Sequence, residues 1–104
     1  MVEVRQTEDF SSWLSDLHDA RARARVLVRI DRLRLGLAGD ARLVGSRVWE
    51  LRIDYGPGYR VYYAWRGREL VVLLAGGDKR TQSRDIEKAQ TLVRGMEADK
   101  HGKN

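Results

Sequence analysis

Sixteen of the chain's twenty basic residues are arginine. A guanidinium is a planar fork that grips a phosphate or carboxylate at two points and stacks on flat rings. The composition therefore favours recognition of nucleic acid or of an acidic protein. Four of these residues, Arg21, Arg25, Arg29 and Arg32, recur at steps of four, four and three, which on a helix draws a stripe along one side. Such a stripe serves as a solvated face, as a nucleic-acid contact or as the bed of an acidic partner, and spacing leaves all three open. The charge is uneven: residues 20–80 hold fourteen bases against six acids, residues 1–19 one base against five acids, and residues 81–104 are near balance. There is no cysteine and there are two histidines, so disulfides, thiolate nucleophiles and cysteine-based zinc sites are excluded and a histidine-rich metal site is not expected. Gly76-Gly77 lacks the lysine and serine of a phosphate loop. Asp78, Asp85 and Glu87 lack the partner pattern of a two-metal site. Neither a metal nor a cofactor is expected.

The elements that must hold these residues follow from period and punctuation. At 104 residues, 42% apolar and 34% charged, one folded domain is expected. The longest apolar run, Leu70 to Ala75, is too short to cross a bilayer, and the N-terminus has no signal-peptide pattern, so a cytoplasmic protein without a membrane partner is expected. Residues 2–6 alternate as a short strand. Thr7, followed by Glu8 and Asp9, reads as a helix cap, and Phe10, Trp13, Leu14 and Leu17 form the apolar stripe behind it. A second helix is expected from Ala20 to Ala38, closed by Gly39, burying Val26, Ile30, Leu33 and Leu37. Val28 and Leu35 fall beside the arginine stripe and are available for a second contact.

The period then changes to that of strands. Val48–Asp54 and Tyr59–Trp65 are rich in β-branched and aromatic residues, with Pro57-Gly58 suited to the centre of a type II turn. Pairing Ile53 with Tyr59 puts Leu51, Ile53, Tyr59, Val61 and Tyr63 on one face and Glu50, Arg52, Arg60 and Tyr62 on the other, whereas a one-residue slip mixes the sets. Glu69–Ala75 is a third strand covered on both sides, and Gly76-Gly77 reads as a tight turn out of it. Thr81 or Ser83 caps a last helix carrying Ile86, Ala89, Val93 and Met96, followed by a polar tail over Asp99–Asn104. The fold class expected is α+β: an N-terminal strand and two helices, an antiparallel meander and a C-terminal helix. One domain covers residues 1–98, its helices lie on one face of the sheet, and the Glu50, Arg52, Arg60, Tyr62 face is open.

Three segments, Val48-Trp49-Glu50-Leu51-Arg52, Gly58-Tyr59-Arg60-Val61-Tyr62-Tyr63 and Gly76-Gly77-Asp78-Lys79-Arg80-Thr81-Gln82 with Asp85-Ile86, resemble the RelE/ParE superfamily. More closely they resemble its HigB-like "addiction module killer protein" branch. The resemblance covers roughly residues 2–97. It implies the toxin of a type II toxin–antitoxin module, held by a small antitoxin that in this branch is usually a helix-turn-helix protein. RelE-type members cut mRNA in the ribosomal A site; ParE-type members act on DNA gyrase. Carried over residue by residue, Arg60 matches the catalytic hairpin arginine, Arg52 the second of two strand lysines, and Lys79 the basic residue after the last strand. Glu50 stands where the first lysine would be and Asp85 near the place of the C-terminal tyrosine. His18 and His101 lie outside the three matching segments, so the histidine site of some HigB enzymes is missing.

The resemblance thus implies metal-independent RNA cleavage, with Arg52, Arg60 and Lys79 stabilising phosphorane charge and Glu50 or Asp85 as candidate base. The ordinary alternatives are ion pairing for Glu50, Arg52 and Arg60, and a first-turn helix acid for Asp85. Tyr62 is a candidate to stack on a base or to pack in the sheet. The stripe of Arg21, Arg25, Arg29 and Arg32 is a candidate contact for ribosomal RNA or for the antitoxin. The alternative functions are a non-enzymatic gyrase inhibitor and a decayed, inactive toxin. If the basic middle of the chain binds ribosomes or RNA, affinity should fall steeply between about 50 and 200 mM salt as counterions are released. A filter-binding titration that is flat over this range would remove that surface from consideration.

Overall fold

A computed structural model describes the backbone of residues 1–102 and the side chains of residues 1–97. In chain order the elements are β1 (Glu3–Gln6), α1 (Glu8–Ser15), α2 (Ala20–Arg34), β2 (Ala41–Leu43), β3 (Trp49–Ile53), β4 (Tyr59–Arg66), β5 (Leu70–Asp78), a 3-10 turn (Lys79–Thr81) and α3 (Gln82–Gly102). The polar tail expected over Asp99–Asn104 lies outside the described side chains. The five strands form one sheet in the order β1-β5-β4-β3-β2. β1 runs parallel to β5 and the other neighbours are antiparallel. Ile53 faces Tyr59 and Glu50 faces Tyr62, the register that segregates the two residue sets. The α+β class and its element order are those expected; the short strand β2, three residues at an edge, had no alternation long enough to read.

Local signals explain most boundaries. Thr7 caps α1: its hydroxyl accepts from the Phe10 N–H at 3.1 Å and donates to the Leu74 carbonyl at 2.6 Å. Asp19 caps α2 through the N–H groups of Arg21 and Ala22. α2 stops earlier than Ala38. Gly36, at φ 81°, donates to the Leu33 carbonyl while the Leu37 N–H donates to the Arg32 carbonyl, the paired bonds of a Schellman cap. The first glycine able to take the left-handed position ends the helix, and Leu37 is left 61% exposed rather than buried. In the β3–β4 loop the hydrogen-bonded turn is Tyr55–Gly58, with Gly56 at φ 56° in the first central position. The expected turn centred on Pro57-Gly58 is therefore displaced by one residue.

The helices do not share one face. Phe10, Val26, Ile30 and Leu33 of α1 and α2 pack with Leu51, Val61, Tyr63 and Leu73 on one side of the sheet. Ala89 and Val93 of α3 pack with Val48, Tyr62, Ala64 and Leu74 on the other. β4 and β5 are interior strands with apolar side chains on both sides, so the second face also needs cover, and α3 supplies it.

Gly76-Gly77 is not a turn but the end of β5, paired with Val61 and Arg60. A bulge displaces the pairing there: Tyr63 faces Leu73, Tyr62 faces Ala75, and Leu74 is the extra residue. This shifts the alternation by one, so that Gly76 lies under Trp13 of α1 and Gly77 under Asp85 of α3. A Cβ at Gly76 would collide with the Trp13 ring, and a Cβ at Gly77 with the Asp85 carboxylate. Gly76→Ala and Gly77→Ala should each destabilise by about 1–3 kcal/mol or more through overpacking. Gly95→Ala in α3, where the Cβ meets open space, should stabilise by up to about 1 kcal/mol. Urea midpoints of the three variants check this order.

Candidate functional site

The β3–β4 hairpin and the start of the 3-10 turn frame a cleft of about 400 Å³, lined by Asp40, Arg52, Asp54, Tyr59, Arg60 and Lys79 among others. Arg52 and Arg60 pair across the strands on the same face. Lys79 comes to them because β5 lies beside β4 and ends level with Tyr59. A methyl group on Gly58 would lie 3.1 Å from Arg60 Nη1 and 3.7 Å from Lys79 Cβ, so the two cationic residues flank that glycine. Arg52 donates from Nε and Nη2 to one Asp40 oxygen at 3.1 and 2.8 Å. That bond raises the Arg52 guanidinium above its ordinary value. The Arg60 side chain is only 12% exposed. Its Nη1 donates to the Gly58 carbonyl at 2.7 Å.

Behind the cleft, on the α3 side, Glu50 is fully buried. Its carboxylate accepts from Arg42 Nε at 2.9 Å, from Gln82 Nε2 at 2.9 Å and from the Tyr62 hydroxyl at 3.0 Å. Arg60 Nε stands 3.5 Å away. Burial pushes this carboxyl up, but the hydrogen bonds from Gln82, Arg42 and Tyr62 outweigh it and hold the group below the ordinary glutamate range. Tyr62 is buried in turn; burial and then the Glu50 charge push its hydroxyl far above the ordinary tyrosine range. A side chain so enclosed has no face for a base to stack on, so the stacking role considered for Tyr62 is replaced by that of a donor to Glu50. Asp85 is also buried and accepts from the Thr81 hydroxyl at 2.5 Å. Glu50 and Asp85 thus lie between the sheet and α3, on the same face as Arg52 and Arg60 but outside the lining of the cleft.

The arginine stripe divides in the same way. Arg29 donates to the carbonyls of Arg52 at 2.5 Å and Ala38 at 3.0 Å, tying α2 to the sheet edge. Arg25 lies 4.7 Å from the centre of the Tyr55 ring. Arg21 and Arg32 are exposed. Three residues of the site were not singled out in the sequence: Asp40, Arg42 and Gln82. Asp54 directly follows β3, and in the sequence it reads as an ion-pair partner for the hairpin arginines. Asp40 and Arg42 belong to the unread β2 segment, and Gln82 carries no signal of its own. Among the described residues no trio of histidine, cysteine, aspartate or glutamate stands together as a metal-ligand group, and no helix is long and apolar enough to cross a membrane.

The RelE/ParE superfamily fits this chain broadly. The Gly76-Gly77-Asp78-Lys79 strand end that brings Lys79 to that cleft lies inside the stretch, residues 12–94, that matches the family of Gp49-like phage-derived proteins (DUF891). The chain belongs to that family, a family of toxin–antitoxin toxins. It is also 47% identical over 92 residues to an uncharacterised protein of Haemophilus influenzae (strain Rd), covering 88% of this chain and 93% of that one.

The depressed Glu50 carboxyl has a pH signature. The unfolded state takes up its proton near the ordinary value of 4.5, and the folded state only at lower pH. Its stabilisation is therefore fully present above about pH 4.5 and is lost as pH falls through the folded value. Glu50→Gln should lose about 1–3 kcal/mol at neutral pH, since buried donors lose a charged acceptor. It should also show a flatter decline in acid than the parent, read from denaturation midpoints across pH.

Proposed function

We propose that this toxin is a HigB-like, ribosome-dependent mRNA endonuclease that cuts without a metal by attack of the neighbouring 2′-hydroxyl. The observation that carries this reading is the convergence of Arg52, Arg60 and Lys79, which come from three separate segments, on one cleft. In the step proposed, the 2′-oxygen forms a bond to phosphorus and the bond from phosphorus to the 5′-oxygen breaks. The 2′-hydroxyl proton passes to a base and the leaving 5′-oxygen takes a proton. Arg60, held by the Gly58 carbonyl, faces the phosphorane charge as a fixed donor, and Arg52 and Lys79 add cationic charge at the rim.

Glu50 does not suit the base, because three hydrogen-bond donors already occupy its oxygens. Asp85 does not suit it either, since Gly77 and Thr81 enclose its carboxylate. Asp40 and Asp54 are the carboxylates that line the cleft, and they are the groups in reach of the 2′-hydroxyl proton.

Arg60→Ala should lose stability, since it removes a cation beside buried Glu50, and under conditions where circular dichroism shows it folded should lower single-turnover cleavage by about 10²–10³-fold, the usual cost of one oxyanion donor. The parent should leave a 2′,3′-cyclic phosphate and a 5′-hydroxyl and should fail on mRNA carrying a 2′-O-methyl group at the cut site. It should work in chelator on ribosomes pre-loaded with magnesium. Mapping of mRNA 5′ ends with and without translation reads the ribosome dependence. Products with 5′-phosphates would overturn the chemistry, a fully active Arg60→Ala the site, and DNA breaks without codon-phased cuts the target.

A further inference from the structure

Asp40 stands just before β2 and is placed by bonds to its backbone rather than by burial. Its carbonyl accepts the Arg52 N–H at 2.9 Å, which continues the β2–β3 pairing beyond Ala41. Arg29 of α2 lies across that join. Its Nη2 donates to the carbonyls of Ala38 at 3.0 Å and Asp40 at 3.3 Å, and its Nη1 to the Arg52 carbonyl at 2.5 Å. Bonds from a charged donor are the stronger kind, so one guanidinium clamps both sides of the join. Gly39, between Ala38 and Asp40, takes φ 69° and leaves room for it: a Cβ there would lie 3.1 Å from Arg29 Nη2. The Asp40 side chain is 55% exposed. Both bonds from the Arg52 side chain fall on its Oδ1, and Oδ2 has no donor among the described residues. Asp54, the other carboxylate of the cleft, is exposed just beyond β3 and has no comparable clamp among the described residues.

We infer that Asp40 is the general base of the cleavage and that Arg29 is its positioning residue. The inference rests on the endonuclease reading of the cleft. Before substrate arrives, the Asp40 carboxylate occupies the place on Arg52 that a phosphate takes. When the scissile phosphate binds Arg52 instead, the carboxylate is released beside it while the Asp40 backbone stays clamped. That puts a free carboxylate oxygen next to the ribose on the 5′ side of the phosphate. It takes the 2′-hydroxyl proton as the 2′-oxygen forms its bond to phosphorus, and becomes the neutral acid. Arg29 touches no substrate atom. It acts by fixing the separation of Asp40 and Arg52, so that the group that leaves the arginine remains within reach of the nucleophile.

The test uses the full chain and translating ribosomes, with single-turnover cleavage followed over a range of excess toxin so that the maximal rate and the half-saturating concentration separate. Each variant is assayed where circular dichroism shows it folded. Asp40→Asn keeps an oxygen for Arg52 but cannot take the proton. It should lower the maximal rate by about 10²–10⁴-fold, with half-saturation little changed, and Asp54→Asn should cost at least about tenfold less. Formate should restore part of the activity of Asp40→Ala, and chloride at equal ionic strength should not. Arg29→Ala should lower the maximal rate and Arg29→Lys should recover part of it. The double variant Arg29→Ala with Asp40→Asn should be no slower than Asp40→Asn, since the positioning residue then has nothing to position. Losses that simply add overturn the role of Arg29, and where Arg29→Ala does not fold the same cycle is run with Arg29→Lys. An Asp40→Asn variant as fast as the parent, a loss confined to half-saturation, or no rescue by formate overturns the base, while codon-phased cuts by the parent leave the endonuclease reading in place. A parent that makes no such cuts overturns both.

Discussion

A single buried carboxylate joins four parts of this fold. Glu50 sits on β3 with no exposed surface, and its partners come from β2 (Arg42), from β4 (Tyr62 and Arg60) and from the first turn of α3 (Gln82). An ionised carboxylate out of water costs several kcal/mol unless its lone pairs are met. Each partner is therefore required to stay where it is, and the requirement fixes how far α3 can move over the sheet. A leucine of similar size would satisfy the packing but would release Arg42, Gln82 and the Tyr62 hydroxyl. Hydrophobic burial brings α3 down onto the sheet; the glutamate sets its position.

The two glycines at the end of β5 do for the layers what Glu50 does for the strands. With no side chain at Gly76, the Trp13 ring of α1 lies against backbone, and with none at Gly77 the Asp85 carboxylate of α3 does so from the other side. Adjacent strand residues face opposite sides, and the bulge at Leu74 sets the phase so that Gly76 meets α1 and Gly77 meets α3; the Thr7 hydroxyl satisfies the Leu74 carbonyl. The strand then runs directly into the 3-10 turn, where Asp78 caps the Arg80 N–H. Lys79 is the first residue of that turn. Its place beside Gly58 and Arg60 thus follows from a β5 that can be approached closely on both sides.

Much of this was legible in the sequence where the signal is local. The strand register came from the separation of Leu51, Ile53, Val61 and Tyr63 from Glu50, Arg52, Arg60 and Tyr62, and the Thr7 cap from one residue and two acids. What failed to show depends on distant chain. The stripe Ile86, Ala89, Val93 is visible, but which face of the sheet it covers is decided by whether β4 and β5 have neighbours on both sides. Glu50 and Tyr62 read as exposed because a strand face without cover is exposed, and the cover comes from more than thirty positions downstream. Two adjacent glycines read as a turn because their usual use is conformational; here their use is the absence of a Cβ. Gly36 and Gly39 were equivalent helix stops by type, and the nearer one closed the Schellman bonds.

The cations of the cleft differ in how they hold their charge. Arg52 pairs with Asp40, both side chains about half exposed. Such a half-exposed pair is weak, so in the endonuclease we propose a phosphate displaces Asp40 at little cost. Arg60 cannot exchange its partner, because Glu50 is buried. Yet Glu50 is already occupied by three donors at 2.9–3.0 Å, and Arg60 Nε stands off at 3.5 Å with no hydrogen bond. Arg60 is thus held beside Glu50 by charge rather than by a hydrogen bond, and its Nη1 is fixed by the Gly58 carbonyl. In the endonuclease we propose, a guanidinium held on two sides needs little reorganisation when a negative charge develops in front of it, which is the condition under which fixed donors lower a barrier most.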